Sequence, residues 1–150
     1  MIRMPRPGGG PLDARHAGID KALRRARRIR VCRLLLRISH CKLGMPGSDL
    51  PVSVSSALSP NPYLAMLLAL YLAELEDRTV YQSCLGGEGP PATAHRQAAR
   101  LAKLGAVTRS PDRADQRRLN VALTAALRGA FDDHVDAIAD TIEDWLTNGQ

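Results

Sequence analysis

The stretch "TAHRQAARLAKLGAVTR", Thr93 to Arg109, places alanines on one side of an amphipathic segment, basic side chains on the other, and a glycine near its end. At 3.6 residues per turn, 91–104 reads as a helix. Pro91 suits its first position, where the missing N–H is no loss. Gly105 suits the position just past the end, which favours a left-handed backbone. Ala94, Ala98, Leu101 and Leu104 then share one face, small enough at its start to let a neighbouring helix come close. Thr93, Arg96, Arg100 and Lys103 share the opposite face, with His95 and Gln97 beside them. Such a face serves solubility. It also fits a DNA major groove, where arginine binds guanine edges or holds phosphates.

Working outward, "AVTR" (106–109) and "RLNVALT" (118–124) read as two short strands, the second with Leu119, Val121 and Leu123 alternating with other side chains. The eight residues "SPDRADQR" between them form a charged turn. Upstream, "YLAMLLALYLAELE" from Tyr63 is apolar nearly all round and predicts a helix buried in the core. A short helix is expected around Val80–Leu85, followed by a glycine-rich turn. Downstream, 125–148 is a long helix on which Leu127, Phe131, Val135, Ile138, Ile142 and Trp145 recur at helical steps. That stripe is longer than one small domain covers. It predicts a homodimer with Phe131, Val135, Ile138, Ile142 and Trp145 at the interface, Leu127 and Phe131 also packing on the chain's own first core helix.

The first third of the chain differs in character. Residues 1–11 combine prolines with glycines and are expected to be disordered, and 44–62 read as a linker. Between them, 12–38 is interrupted only by Gly18 and predicts a basic helix with Ile19, Leu23, Ala26, Leu34 and Ile38 near helical spacing. The expected division is therefore 1–61, a disordered start, basic helical arm and linker, and 62–150, a DNA-binding domain with its C-terminal helix. The arm is a tail, a nucleic-acid contact or a helix that packs.

The net charge of +6 conceals an alternation: residues 1–42 carry +10, 43–90 carry −4, 91–124 carry +5 and 125–150 carry −5. Two basic blocks suit a polyanion. The acidic face of Asp132, Asp133, Asp136, Asp140, Glu143 and Asp144 complements the arginine-rich helix. Aromatic residues are only 3% of the chain, so the core is aliphatic. Cys32, Cys41 and Cys84 are odd in number and lack a CxxC spacing, which argues against a disulfide framework and a zinc site and for reduced thiols in a cytoplasm. No apolar run approaches the ~20 residues of a membrane span, so no membrane partner is expected. Nor does the N-terminus resemble a secretory signal. An enzyme has little support: Cys84 has no histidine nearby in sequence, and "GGEG" precedes a helix without a phosphate-loop lysine. No cofactor is expected, and Cys84 reads as a small buried hydrophobe rather than a redox sensor.

Together, "TAHRQAARLAKLGAVTRSPDRADQRRLNVALT" resembles the centre of MarR-type winged-helix transcriptional regulators: a Thr-x-x-Arg helix, an RL-x-K-x-G-x-V-x-R exit, a D-x-x-D-x-R wing and a closing LT. The likeness extends over 62–148 and is specific in 91–124. "NPYLAMLLALYLAELEDRTV" further resembles the N-terminal helix of alphaproteobacterial winged-helix proteins of this type. Ala92 stands where the family often has serine, and His95 where it has threonine or serine. The resemblance implies a mainly α fold with a small β-hairpin wing, a winged helix-turn-helix with N- and C-terminal dimerisation helices. It implies a regulator that binds double-stranded DNA, with Thr93, His95, Arg96 and Arg100 toward the groove. Arg113, Arg117 and Arg118 would lie in or beside the wing, with Asp115 orienting a nearby arginine. A small aromatic effector is a further partner that the family allows. The alternative is a winged helix used for protein or RNA binding, with the arginine-rich arm as its main contact.

Overall fold

The computed structural model describes residues 11–40, 62–85 and 91–148. Helix α1 spans Pro11–His40 and α2 spans Pro62–Leu75. A two-residue strand β1, Val80–Tyr81, leads into a single 3-10 turn at Gln82–Cys84. Helix α3 spans Pro91–Lys103, strands β2 and β3 span Val107–Pro111 and Leu119–Leu123, and α4 spans Ala125–Asn148. The strands form one antiparallel sheet in the order β1-β3-β2, with Val80 opposite Val121, and Val107 opposite Leu123. Helix, short turn, basic helix and hairpin with a third small strand make a winged helix-turn-helix. Residues 1–10 and 41–61, where a disordered start and a linker were expected, lie outside the described residues.

Each boundary has a local cause. Gly105, at φ +73°, ends α3 in a Schellman turn: the Ala106 N–H reaches back to the Leu101 carbonyl at 2.9 Å, and the Gly105 N–H to Ala102 at 3.0 Å. Helix α2 ends in the same way without a glycine. Asp77 takes the left-handed backbone (φ 53°), and the Arg78 N–H bonds the Ala73 carbonyl at 2.8 Å. Pro111 closes β2, an edge strand where a missing N–H is tolerated. The Thr124 hydroxyl donates to the Gly105 carbonyl at 3.0 Å and so ties the end of α3 to the start of α4.

Helix α2 is the centre of the core. Tyr71 is fully buried, stacks on Phe131 of α4 at 5.2 Å between centroids, and donates its hydroxyl to Asp132 at 2.6 Å. At the C-terminal end of α2, Glu74 is 14% exposed; it accepts the Leu123 N–H at 2.6 Å and pairs with Arg128 at 3.3 Å.

Helix α1 differs from expectation in which face it buries. It packs on α2 and α4 of its own chain through Val31 and Cys32, with Ile29, Leu35 and Leu36 half-buried. The Cys32 thiol, fully buried, donates to the Leu68 carbonyl at 3.4 Å, and burial raises its pKa to about 11. Ile19, Leu23, Leu34 and Ile38 of the anticipated stripe instead face outward, 44–61% exposed. Arginines select the other face. Arg28 grips Asp136 bidentately at 2.9 and 2.7 Å and meets Asp132 at 2.7 Å, while Arg27 meets Asp140 at 2.6 Å and Glu143 at 2.8 Å. The charge complementarity read from sequence is thus satisfied within one chain.

Half-buried and bidentate, the Arg28 cluster should matter more than an exposed ion pair. Breaking one side of a buried pair costs about 3–5 kcal/mol, and the partial exposure here reduces this to about 1–3 kcal/mol for Arg28→Ala, against under about 0.5 kcal/mol for exposed Arg24→Ala. The Arg28 hydrogen bonds hold the Asp136 carboxyl below its ordinary pKa, against the opposing effect of burial. A carboxylate with a lowered folded pKa contributes stability that is complete at neutral pH and lost as the pH falls through that pKa. Urea midpoints should therefore stay level from about pH 7 to 5 and fall below about pH 4. Asp136→Asn should lower the neutral plateau and soften the acid decline, and urea melts across this range measure both.

Candidate nucleic-acid interface

Helix α3 is held from behind by Ala94, Ala98 and Leu101, which are 1%, 0% and 4% exposed. Leu104 does not join them. The helix ends at Lys103 and the chain turns at Gly105, leaving Leu104 71% exposed. On the outward face His95, Arg96, Arg100 and Lys103 are exposed, and Thr93 and Gln97 are half-buried at its edges. The sequence-predicted face is therefore one continuous surface. Its cations sit toward the helix C-terminus, where Arg100 and Lys103 also oppose the negative end of the helix dipole.

The wing places Arg113, Arg117 and Arg118 around the tip between β2 and β3, all exposed, with Asp115 half-buried. Asp112 organises the turn: its carboxylate accepts the N–H groups of Ala114 at 2.6 Å and Asp115 at 3.3 Å. Those two bonds lead in keeping its pKa below the usual carboxylate range. Asp115 accepts the Arg117 N–H at 3.1 Å and lies 3.4 Å from the Arg118 guanidinium. The wing aspartate does meet an arginine, and it is Arg118.

Three residues that the sequence did not single out shape this surface. Tyr63 lies under Arg100, 5.7 Å from guanidinium carbon to ring centroid, and Tyr81 lies under Arg118 at 5.3 Å. A guanidinium on an aromatic face keeps its charge while losing freedom to rotate. Gln82, 3% exposed, donates its amide to Nδ1 of His95 at 2.7 Å and so braces the first turn of α3 against the 3-10 turn. The short helix expected around Val80–Leu85 is instead β1 and that 3-10 turn, at whose end Cys84, expected to be buried, is exposed. Pairing of Val80 and Tyr81 with Val121 and Asn120 captures the chain as a third strand.

Of the stripe expected at a dimer interface, Phe131 and Val135 are 8% and 0% exposed in this chain's own core, and Ile138 packs against it half-buried. Ile142 is half-buried, and Trp145 is 73% exposed beside Leu146 at 64%. Among the described residues no helix is long and apolar enough to cross a membrane, and no group of His, Cys, Asp or Glu is placed to hold a metal ion.

No family model matches the sequence, and no curated protein matches it. Among solved structures the chain is similar to MepR, a transcription regulator of the Staphylococcus aureus multidrug efflux pump MepA, at 19% identity over 66% of this chain and 71% of that one, TM-score 0.45. A probable transcriptional regulator from Pseudomonas aeruginosa gives 23% identity over 81% and 92%, TM-score 0.39. A variant of ZitR from Lactococcus lactis gives 16% over 94% and 84%, TM-score 0.41. What makes this chain a winged helix is its own element order and strand register.

With the Gln82 amide donating to Nδ1, the His95 proton sits on Nε2, away from the body of the domain. Nitrogen-15 spectra of the imidazole should show the Nε2–H tautomer dominant at about pH 8, and Gln82→Ala should release a mixture of the two. A tautomer mixture in the unmodified protein would show that the brace does not form.

Proposed function

We propose that the protein is a transcriptional regulator that binds double-stranded DNA sequence-specifically, with α3 in the major groove and the β2–β3 wing on the backbone or minor groove. One observation carries this reading: the outward face of α3 and the wing tip both present exposed cations, Arg96, Arg100 and Lys103 on the one and Arg113, Arg117 and Arg118 on the other. Arg25, Arg27, Arg28 and Arg33 of α1 are engaged by carboxylates of Asp77, Asp140, Glu143, Asp132, Asp136 and Glu76. Among the described residues Arg96, Lys103, Arg109, Arg113 and Arg117 of α3 and the wing have no ion pair, and neither do Arg15, Lys21, Arg24, Arg30 and Arg37 of α1. A basic outward helix face with a basic hairpin tip following it is the arrangement that sets one element in a groove and the other on the backbone. Helix α1 packs on α2 and α4 and has four arginines committed within the chain, which weighs against a free arm as the main contact of an RNA- or protein-binding module. In this reading Thr93, His95, Gln97 and Arg100 accompany Arg96 on the groove side, and Arg113 accompanies Arg117 on the wing.

Selection of bound fragments from a random duplex pool should enrich a palindrome, and recovery of RNA or of no motif would defeat the proposal. Arg96 reads a base, so Arg96→Ala should cost ~1–3 kcal/mol on the selected duplex and little on a scrambled one. Arg117 holds phosphate, so Arg117→Ala should weaken both alike and flatten the salt slope by about one.

The functional unit is a homodimer. Because Phe131 and Val135 are already covered, the contact falls to Ile142, Trp145 and Leu146 with the outward stripe Ile19, Leu23, Leu34 and Ile38 of α1. A twofold axis would set two α3 helices about 34 Å apart on one face of the duplex. A small-molecule effector would meet an open, mixed-charge cleft of about 580 Å³ between α1, the end of α2 and Arg128. Ile142→Glu with Trp145→Glu should give folded monomers with steeply reduced affinity for the palindrome. Sedimentation of the unaltered chain as a monomer at micromolar concentration would refute the dimer.

A further inference from the structure

Tyr81 reaches both sides of the wing tip from outside the hairpin. It lies in β1 opposite Asn120, half-buried, more than thirty residues before the tip in sequence. Its ring underlies the Arg118 guanidinium at 5.3 Å. Its hydroxyl faces the Asp112 carboxylate, whose remaining partners are the Ala114 and Asp115 N–H groups. Asp112 and Arg118 are in turn the closing pair of the turn: the Asp112 N–H donates to the Arg118 carbonyl at 2.9 Å, and the Arg118 N–H to the Asp115 carbonyl at 2.9 Å. One side chain on the body of the domain thus touches both residues that shut the tip.

We infer that Tyr81 is a positioning residue for DNA binding, which orients Arg118 and the wing tip toward the phosphate backbone. The inference rests on the DNA reading above. Two features favour the ring over Asp115 as the restraint on Arg118. The Asp115–Arg118 contact is long, 3.4 Å, between side chains 44% and 61% exposed, and such pairs restrain little. A carboxylate also cancels the charge a phosphate needs, whereas a ring face leaves the in-plane N–H donors free. Arg118 is therefore placed by the ring, and its exposed guanidinium keeps N–H donors beyond the loose Asp115 contact for a phosphate. Its ordering precedes contact, so fewer rotamers are lost when phosphate arrives. Arg113 and Arg117, with no such platform, complete the grip as mobile cations.

The test is the salt dependence of full-chain binding to the selected duplex and to a scrambled one, for Tyr81→Phe and Tyr81→Val. Valine keeps a strand-forming residue in β1. Tyr81→Val should lose about three- to tenfold on both duplexes and flatten the salt slope by about one, as the loss of one ordered phosphate contact requires. Tyr81→Phe keeps the ring and should keep the slope. Arg118→Ala added to Tyr81→Val should cause little further loss, because both remove the same contact. A structural defect alone would lower the active fraction without changing the slope. Independently of any DNA, the Arg118 side-chain protons of the unaltered protein should show an upfield ring-current shift, and its absence overturns the proposal even where Tyr81→Val fails to fold. A steep wild-type slope that Tyr81→Val leaves untouched, or fully additive losses in the double variant, overturns it too. A wild-type chain with no salt-dependent duplex binding instead sinks the DNA reading, and this inference with it.

Discussion

The joint between α1 and α4 is electrostatic at its edge and apolar at its centre, and the placement of every other element follows from it. Helix α4 carries Asp132, Asp136, Asp140 and Glu143 along the flank that α1 approaches, and Arg27 and Arg28 answer all four. Between the charged edges, Cys32 and Val31 close over the α2 face that includes Leu68, while Val135 and Ala139 complete the cluster from α4. Helix α2 is apolar nearly all round and cannot remain exposed on that side. With α1 in place, its opposite faces are free to receive α3 and the sheet. Arg28 couples the two halves directly, because Asp132 also accepts the Tyr71 hydroxyl from the centre of α2.

This joint also arranges the molecule's charge. A chain with +10 in its first 42 residues would ordinarily present its strongest positive field there. Here Arg27 and Arg28 are met by four acids of α4, and Arg25 and Arg33 by Asp77 and Glu76 at the end of α2. Arg15, Lys21, Arg24, Arg30 and Arg37 of α1 stay outward, as do the cations of α3 and the wing. Pairing four arginines weakens the field on the α1 side relative to that of α3 and the wing without removing it.

Much of this was legible in the sequence, and the exceptions have physical causes. Helix α3, its glycine stop, the two wing strands and α4 follow from short-range signals: helical spacing, a residue suited to positive φ, and alternation. Helix α1 was legible as a helix but not in its orientation. It has apolar residues on both faces, and its buried side was chosen by arginines reaching carboxylates more than a hundred residues away. Strand β1 is two residues long and exists because β3 offers a partner, so nothing local announces it. The left-handed turn at Asp77 lacks the usual glycine, and Leu104 keeps helical phase in sequence but loses it one residue beyond the helix. The outward residues of α3 were readable as a face. Tyr63, Tyr81 and Gln82 were not, since each acts on its partner from a different element and no spacing encodes that.

Glu74 adds a mechanical dimension. One of its oxygens holds the last residue of β3, the other the first turn of α4, while its backbone belongs to the final turn of α2. Three elements thus share a single fulcrum. The long helix, 24 residues, begins close to that point, so a tilt of α4 would load the Glu74 contacts with β3 and α2 directly rather than through a loop. A body built this way ties the posture of its last helix to the base of its hairpin through one carboxylate.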